Sequence, residues 1–204
     1  MILLASNSSS RQQLLTWAQI PYKVVSHNST EKGFDNLTDL DERLLAISLD
    51  KMAKISIPSH FLADASYLYC ITADTLVQNI ATGEILEKPS SYSDAVRMVK
   101  SYSQKLLKVA SSTVIEKKAI KEGRTITLQT KQWVSSAIIE FSVPDDMVDI
   151  YLAHNDNAAL YSSGALIVEE FGFNFLRTVN GSFTSILGFD VPTLRSELKE
   201  LGFF

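Results

Sequence analysis

Short apolar runs and segments with helical spacing alternate along the first third of the chain. "ILLA" (2–5) predicts a short buried strand. Residues 8–19 predict a helix with Leu14, Leu15 and Ala18 on one face, ended by Pro21, and "YKVV" (22–25) predicts a second strand. The stretch 26–36 has no periodicity and many turn formers, so it reads as a loop. Asp41 to Ser56 predicts a helix stopped by Pro58. "YLYCITADTLV" (67–77) is apolar, β-branched and aromatic on both sides of a polar interruption, which predicts a central strand. After a turn at "ATGE" (81–84), "EKPSS" leads into a helix with the stripe Tyr92, Ala95, Val96 and Val99. A hairpin of strands 106–116 and 124–132 follows, then a separate strand at 135–143 and a short helix over 145–153 with Pro144 at its start. A "HNDNAA" loop, further strands to about 179, a "NGSFTS" turn and a helix over 193–201 complete the pattern. Helices and strands alternate early and strands run together in the middle, which predicts an α/β fold with a mixed sheet.

The chain has 204 residues, enough for one generous domain or two small lobes sharing a core, and neither linker composition nor repeats divide it. A net charge of −4 gives no general attraction to nucleic acid or to an anionic membrane. The most basic stretch, "EKKAIKEGR" (116–124), alternates signs and ends near a glycine, so it reads as a solvated hairpin tip. One cysteine, Cys70, sits in an apolar run and reads as a small buried hydrophobe. "MILLA" lacks the basic flank of a signal peptide, and no apolar stretch reaches the ~20 residues of a membrane span. A soluble cytoplasmic protein is expected.

Several polar residues stand where polarity needs a reason. Asp74 interrupts the apolar central strand, where a carboxylate is expensive unless it is paired, metal-bound or facing a cleft; the alternative is that it starts a turn and caps Thr75. Lys51 falls on the flank of the apolar stripe Leu44, Leu45, Met52 and Ile55, opposite Arg43, Asp50 and Lys54. By itself it reads as a lysine snorkelling from the rim of the core. Lys88 precedes Pro89 and is held extended at a loop edge, Glu31 lies in the long loop, and Glu169 separates "ALIV" from "FGFNFL". Together these residues form a kit for polyphosphate chemistry. Lysines and an arginine neutralise phosphates, while Asp74, Glu31 and Glu169 hold a Mg²⁺ and orient a water. "SNSSSR" (6–11) puts backbone N–H groups at a helix N-terminus, a natural anion site. No Walker A loop occurs, and neither does a nucleophile triad. His27, His60 and His154 read as solvated surface residues, and Ser8 as a helix cap.

With these positions laid out, the chain resembles the Maf family of nucleoside triphosphate pyrophosphatases almost end to end. "LASNSSSRQQLL" (4–15) is similar to the family's Leu-Ala-Ser-x-Ser-Pro-Arg-Arg-x-x-Leu-Leu. "LAISLDKMA", "ITADTLV" and "LEKP" resemble its lysine helix, Ala-Asp-Thr strand and Gly-Lys-Pro motifs, and "NGSFTSILGFDVPTL" its closing segment. The resemblance implies an elongated mixed sheet flanked by helices, related to inosine triphosphate pyrophosphatases, with two lobes around a cleft. It implies hydrolysis between the α- and β-phosphates of a nucleoside triphosphate with Mg²⁺ or Mn²⁺, and a homodimer. Asp74 and Glu31 would be the metal residues, with Glu169 assisting, and Asp74, Glu31, Lys51 and Lys88 the catalytic set. Ser6, Ser8, Ser10, Arg11 and Glu169 would contact the nucleotide.

Departures from the family pattern matter. Pro-Arg-Arg becomes Ser9-Ser10-Arg11, so one phosphate-facing arginine is a serine. Of the Gly-rich Gly-Lys-Ala-Gly-Gly-Tyr stretch, "YSSGAL" keeps only Gly164. Glu169 stands where the thymidine and uridine triphosphate branch usually has glutamine, and resembles the 7-methyl-GTP branch, whereas "ADT" leans the other way. Base preference is therefore open. The competing reading is a catalytically weakened relative that binds nucleotides or a protein partner.

Overall fold

The computed structural model describes residues 1–63, 66–154 and 158–204. In chain order its elements are β1 (Ile2–Leu4), α1 (Ser9–Trp17), β2 (Tyr22–Val24), α2 (Leu40–Ala53), β3 (Tyr67–Asn79), β4 (Ile85–Leu86), α3 (Tyr92–Tyr102), β5 (Lys105–Lys121), β6 (Arg124–Phe141), α4 (Val148–His154), β7 (Leu176–Gly181), α5 (Phe183–Ile186) and α6 (Val191–Glu200). The strands form a seven-stranded sheet in the order β2-β1-β3-β5-β6-β7, with β4 paired to β3. β1 pairs parallel with both β2 and β3, whereas β3–β4 and β6–β7 are antiparallel. This is the expected mixed α/β sheet flanked by helices. Among the described residues no helix is long and apolar enough to cross a membrane.

The chain divides into two compact units, Met1–Asp74 with Ser111–Ser135 and Gly188–Phe204, and Thr75–Ala110 with Ser136–Leu187. In the first unit, β1 is wholly buried because it is hydrogen-bonded on both sides within the sheet. Its Leu3 and Ala5 join Val25, Met52, Leu68, Cys70 and Val114 in one apolar cluster. α1 starts where Ser8 accepts from the Arg11 N–H, and α2 where Asp39 accepts from Asp41 and Glu42, so each helix opens on the cap its sequence supplies. In the second unit the core is aromatic. The Phe141 ring lies 5.7 Å from Tyr151 and 6.1 Å from Phe175, and Tyr102 packs 6.4 Å away.

Several elements differ from the sequence reading. The two strands expected at 124–132 and 135–143 are one, β6, which ends at Phe141, because "QWVSSA" stays extended and nothing in it breaks the ladder. Of the strands expected after the "HNDNAA" loop to about 179, β7 forms from Leu176, and before it the chain makes 3₁₀ turns at Ala158–Tyr161, Ser163–Ala165 and Glu170–Phe175. Positive φ angles at Gly164, Ala165 and Glu170 interrupt any extended run there. Residues 155–157 of the "HNDNAA" loop lie outside the described residues. α2 ends at Ala53, three residues short of the expected Ser56. Pro144 caps a 3₁₀ turn (Asp145–Met147) that leads into α4 rather than occupying a first helical position. The buried stripe of α3 is Ala95, Met98, Val99 and Tyr102, whereas Tyr92 is exposed and its hydroxyl donates to Asp149. Finally, only the tip of "EKKAIKEGR" is solvated: Lys118 is buried and bonded to Glu116 and Thr127.

Candidate active site

β3 runs unbroken through Asp74 to Asn79, so Asp74 lies within a strand and does not start a turn. Its neighbours Ala73 and Thr72 are buried, and Asp74 itself is only 9% exposed. A carboxylate there requires a partner, and Lys51 is that partner: its Nζ lies 2.6 Å from Asp74 Oδ1 and 3.0 Å from Glu31 Oε1. Lys51 is therefore no snorkelling rim residue. It projects from the last turn of α2, is 4% exposed, and places its ammonium between two carboxylates. One cation between two anions gives the trio, with Lys51 and Asp74 buried and Glu31 half-buried, a formal net negative charge.

The buried face of α2 is Leu40, Arg43, Leu44, Ile47, Ser48, Lys51 and Met52, so Arg43 belongs to the inner face and not to the solvated one. Its guanidinium is matched by Asp35 at 2.7 Å. Glu31 arrives from the loop before α2 with φ +57, a left-handed conformation that non-glycine residues rarely adopt. Strain of this kind persists where surrounding contacts hold it, and the Lys51 ion pair is such a contact. Nearby, the Ser29 hydroxyl donates to Asp50 and accepts from the Glu31 N–H.

Arg11 lies in the first turn of α1 and folds back on the segment that follows β1. Ser6 Oγ accepts from Arg11 Nη1 at 3.2 Å and from the Ser8 N–H, while Arg11 Nε points at the Gly188 carbonyl at 3.4 Å. Gly188 has φ +119, and a Cβ there would come within 2.7 Å of Arg11 Cγ, so the arginine packs where only a glycine leaves room. Burial lowers the Arg11 pKa, and the negative charges of Asp74 and Glu31 oppose that shift. Arg11 thus senses the same two carboxylates as Lys51. Ser8 caps the helix, and Ser10 is half-buried on the first turn of α1.

His27, expected to be solvated, is half-buried, and its Nδ1 is enclosed without a hydrogen-bond partner. Desolvation lowers its pKa, Lys51 lowers it further, and Glu31, Asp50 and Asp74 pull it back. No periodicity signals this placement, because a single backbone bridge to Ile55 creates it.

Lys88 and Glu169 belong to the second unit. Lys88 is exposed on the segment after β4. The preceding residues are held by the Gly164 N–H, which donates to Glu87, and by Ser163 Oγ, which bonds Leu86. Glu169 is half-buried at the start of a 3₁₀ turn. The segment before it is pinned by Tyr151, whose hydroxyl accepts from the Ile167 N–H at 2.7 Å and lies 3.0 Å from the Ala165 carbonyl. Glu169 itself accepts from the Gly172 N–H, and a Cβ on Gly172 would come within 2.0 Å of the Ile167 carbonyl oxygen. Ser163, Tyr151 and Gly172 escaped the sequence reading because their partners are backbone atoms.

The profile of the family described as Maf-like protein matches residues 1–201. The chain belongs to that family. Among Maf-like relatives, the dTTP/UTP pyrophosphatase of Fusobacterium nucleatum is 30% identical over 205 residues, covering 99% of this chain and 96% of the relative. Proteins of the same name from Bacteroides fragilis and Bacillus velezensis are 27% and 26% identical over 208 and 199 residues. Both alignments cover 98% of this chain and 95% of the relative. The likeness therefore extends over both units.

Proposed function

We propose that this Maf-like protein is a nucleoside triphosphate pyrophosphatase that hydrolyses the α–β phosphate bond of dTTP and UTP to the monophosphate and pyrophosphate. The substrate class follows the names of the relatives. The observation that carries the reading is the buried ammonium of Lys51 between Asp74 and Glu31, close enough to Arg11 for the same carboxylates to perturb the arginine. Such a cluster has an anionic and a cationic side, which suits a ligand that brings polyphosphate and a divalent cation together.

Asp74 and Glu31 fit Mg²⁺ or Mn²⁺ by the chemistry of their donors. Both are hard carboxylate oxygens, and such ions take one or two carboxylates and complete their shell with water and phosphate. When bound, the ion supplies Lewis-acid polarisation of the phosphate oxygens. The chain's own residues then hold and orient. Lys51 pairs with Asp74 and Glu31 and spaces them, Arg11 binds phosphate oxygens from the first turn of α1 beside its backbone N–H groups, and Ser6 and Gly188 fix its guanidinium. Asp74 orients the attacking water. Ser8 and Ser10 line the phosphate turn, Lys88 adds positive charge for the leaving pyrophosphate, and Glu169 reads the base. A homodimer in the cytoplasm completes the proposal, and light scattering of the purified protein tests the dimer.

The deciding experiment is a panel of dTTP, UTP, 7-methyl-GTP and the common nucleoside triphosphates with Mg²⁺ or Mn²⁺, read by ³¹P NMR. Pyrophosphate with monophosphate supports the reading, and orthophosphate with diphosphate contradicts it. Nucleotide binding without turnover favours the weakened relative that Ser10, in place of the family arginine, suggests.

A further inference from the structure

Beneath the Lys51–Asp74 pair lies a polar seam in an otherwise apolar contact. Thr72 Oγ1, on β3, donates to the Ser48 carbonyl of α2 at 2.7 Å. Ser112 Oγ, on β5, donates to the Leu44 carbonyl of the same helix at 2.8 Å, and the Ser48 and Ser112 hydroxyls meet at 2.6 Å. Ser48, Thr72 and Ser112 are fully buried. The spacing makes the seam continuous with the site. Thr72 and Asp74 are two apart on a strand and share a face, and Ser48 and Lys51 are three apart on a helix and share a face. Going along α2, contact to the strands is made at the Leu44 carbonyl, then the Ser48 carbonyl, then the Lys51 ammonium.

We propose that Thr72 and Ser112 are positioning residues that set the height and roll of α2, and so deliver Lys51 to Asp74 and Glu31. Apolar side chains fix the separation of a helix and a sheet but tolerate sliding and rotation better than a short hydrogen bond does. Two hydroxyls on adjacent strands grip helix carbonyls four residues apart, about 6 Å along the axis. Sliding or rolling α2 would stretch at least one of these bonds. Each carbonyl keeps its helical hydrogen bond and uses its second lone pair for the strand hydroxyl, so the grip does not unwind the helix. Lys51 has a long flexible stem, and its ammonium is placed only as well as its Cα. The two carboxylates therefore depend on the seam for a fixed counter-charge.

The inference rests on the reading of Lys51 and Asp74 as the reacting centre, and it has a readout independent of turnover. Two measurements on Thr72→Val, Thr72→Ser and Ser112→Ala test it. The first is steady-state pyrophosphate release. The second is the ¹H–¹⁵N cross peak of the Lys51 ammonium, assigned with Lys51→Met. Thr72→Val keeps the side-chain shape and removes the donor. It should lower kcat roughly tenfold with KM changed less than about twofold, and broaden the Lys51 ammonium signal. Thr72→Ser should restore both, and Ser112→Ala should move both in the same direction by less. Unchanged kcat and ammonium signal in Thr72→Val overturn the inference, as does failure of Thr72→Ser to rescue. Should Thr72→Val not fold, the same two readouts on Ser112→Ala decide. A wild-type protein that turns over no nucleotide would sink the proposed function, while the ammonium signal would still decide whether the seam positions Lys51.

Discussion

The two units hold their candidate residues by opposite means. In the first, Lys51, Asp74 and Arg11 sit on regular elements, and side-chain charges face one another. In the second, Glu169 sits among 3₁₀ turns, and the fixing is done by backbone contacts from Tyr151, Ser163 and Gly172. A charge cluster on rigid elements is suited to stabilising charge that develops in a reaction. Turns pinned through their amides and carbonyls fix a shape, which suits selection of a ligand. Damage to the first unit's cluster should therefore appear in kcat, and damage to the second unit's turns in KM and stability.

The largest test of that contrast is Asp74→Asn. It should lower kcat about 10³-fold by pyrophosphate release, since it removes one of the two carboxylates that flank Lys51. Intact activity would remove Asp74 from the mechanism. Next, Gly172→Ala pushes a methyl into the Ile167 carbonyl and should cost about 3 kcal/mol, a clear drop in Tm by calorimetry. Tyr151→Phe orphans the Ile167 N–H and should cost about 2 kcal/mol. With dTTP or UTP it should raise KM more than it lowers kcat; the reverse split would break the comparison. Ser10→Arg adds a charge to the phosphate turn and should raise kcat/KM by up to about tenfold.

The smallest effect concerns pH. Burial first, and then Lys51, hold the His27 pKa below its ordinary 6.5, while Glu31, Asp50 and Asp74 oppose the shift. A depressed histidine binds fewer protons folded than unfolded. Its contribution is complete above pH 6.5 and is lost as pH falls through the lower folded value. His27→Gln should thus flatten the acid side of the stability profile, measured as urea midpoints between roughly pH 7 and 5.

Legibility in the sequence follows the same division. Asp74 stood out because a carboxylate in an apolar strand is physically anomalous, and Lys51 because it broke a helical stripe. Arg43 misled for the complementary reason: charge alone assigned it to water, whereas its side chain is buried on the inner face of α2 and reaches the exposed Asp35 at the surface. The mixed sheet and most of the early helices were readable because their periodicities are regular. Between Ala158 and Phe175 the apolar residues serve turns, and turns satisfy their backbone through distant side chains such as the Tyr151 hydroxyl, which no local pattern reveals. Gly188 was equally silent, since its importance lies in the space left for Arg11.

Cys70 offers a use of its own. It is the sole cysteine, it lies fully buried in the first unit's apolar cluster, and desolvation pushes its pKa up to about 12. At neutral pH only a tiny fraction of the thiol is the nucleophilic thiolate, and no reagent can reach it while β3 stays in place. Alkylation of the native protein is therefore gated by opening of that strand. Its rate, followed by mass spectrometry, is a natural clock for how often the scaffold beneath Asp74 comes apart, and a slowing of that clock on adding nucleotide would report binding with no label attached.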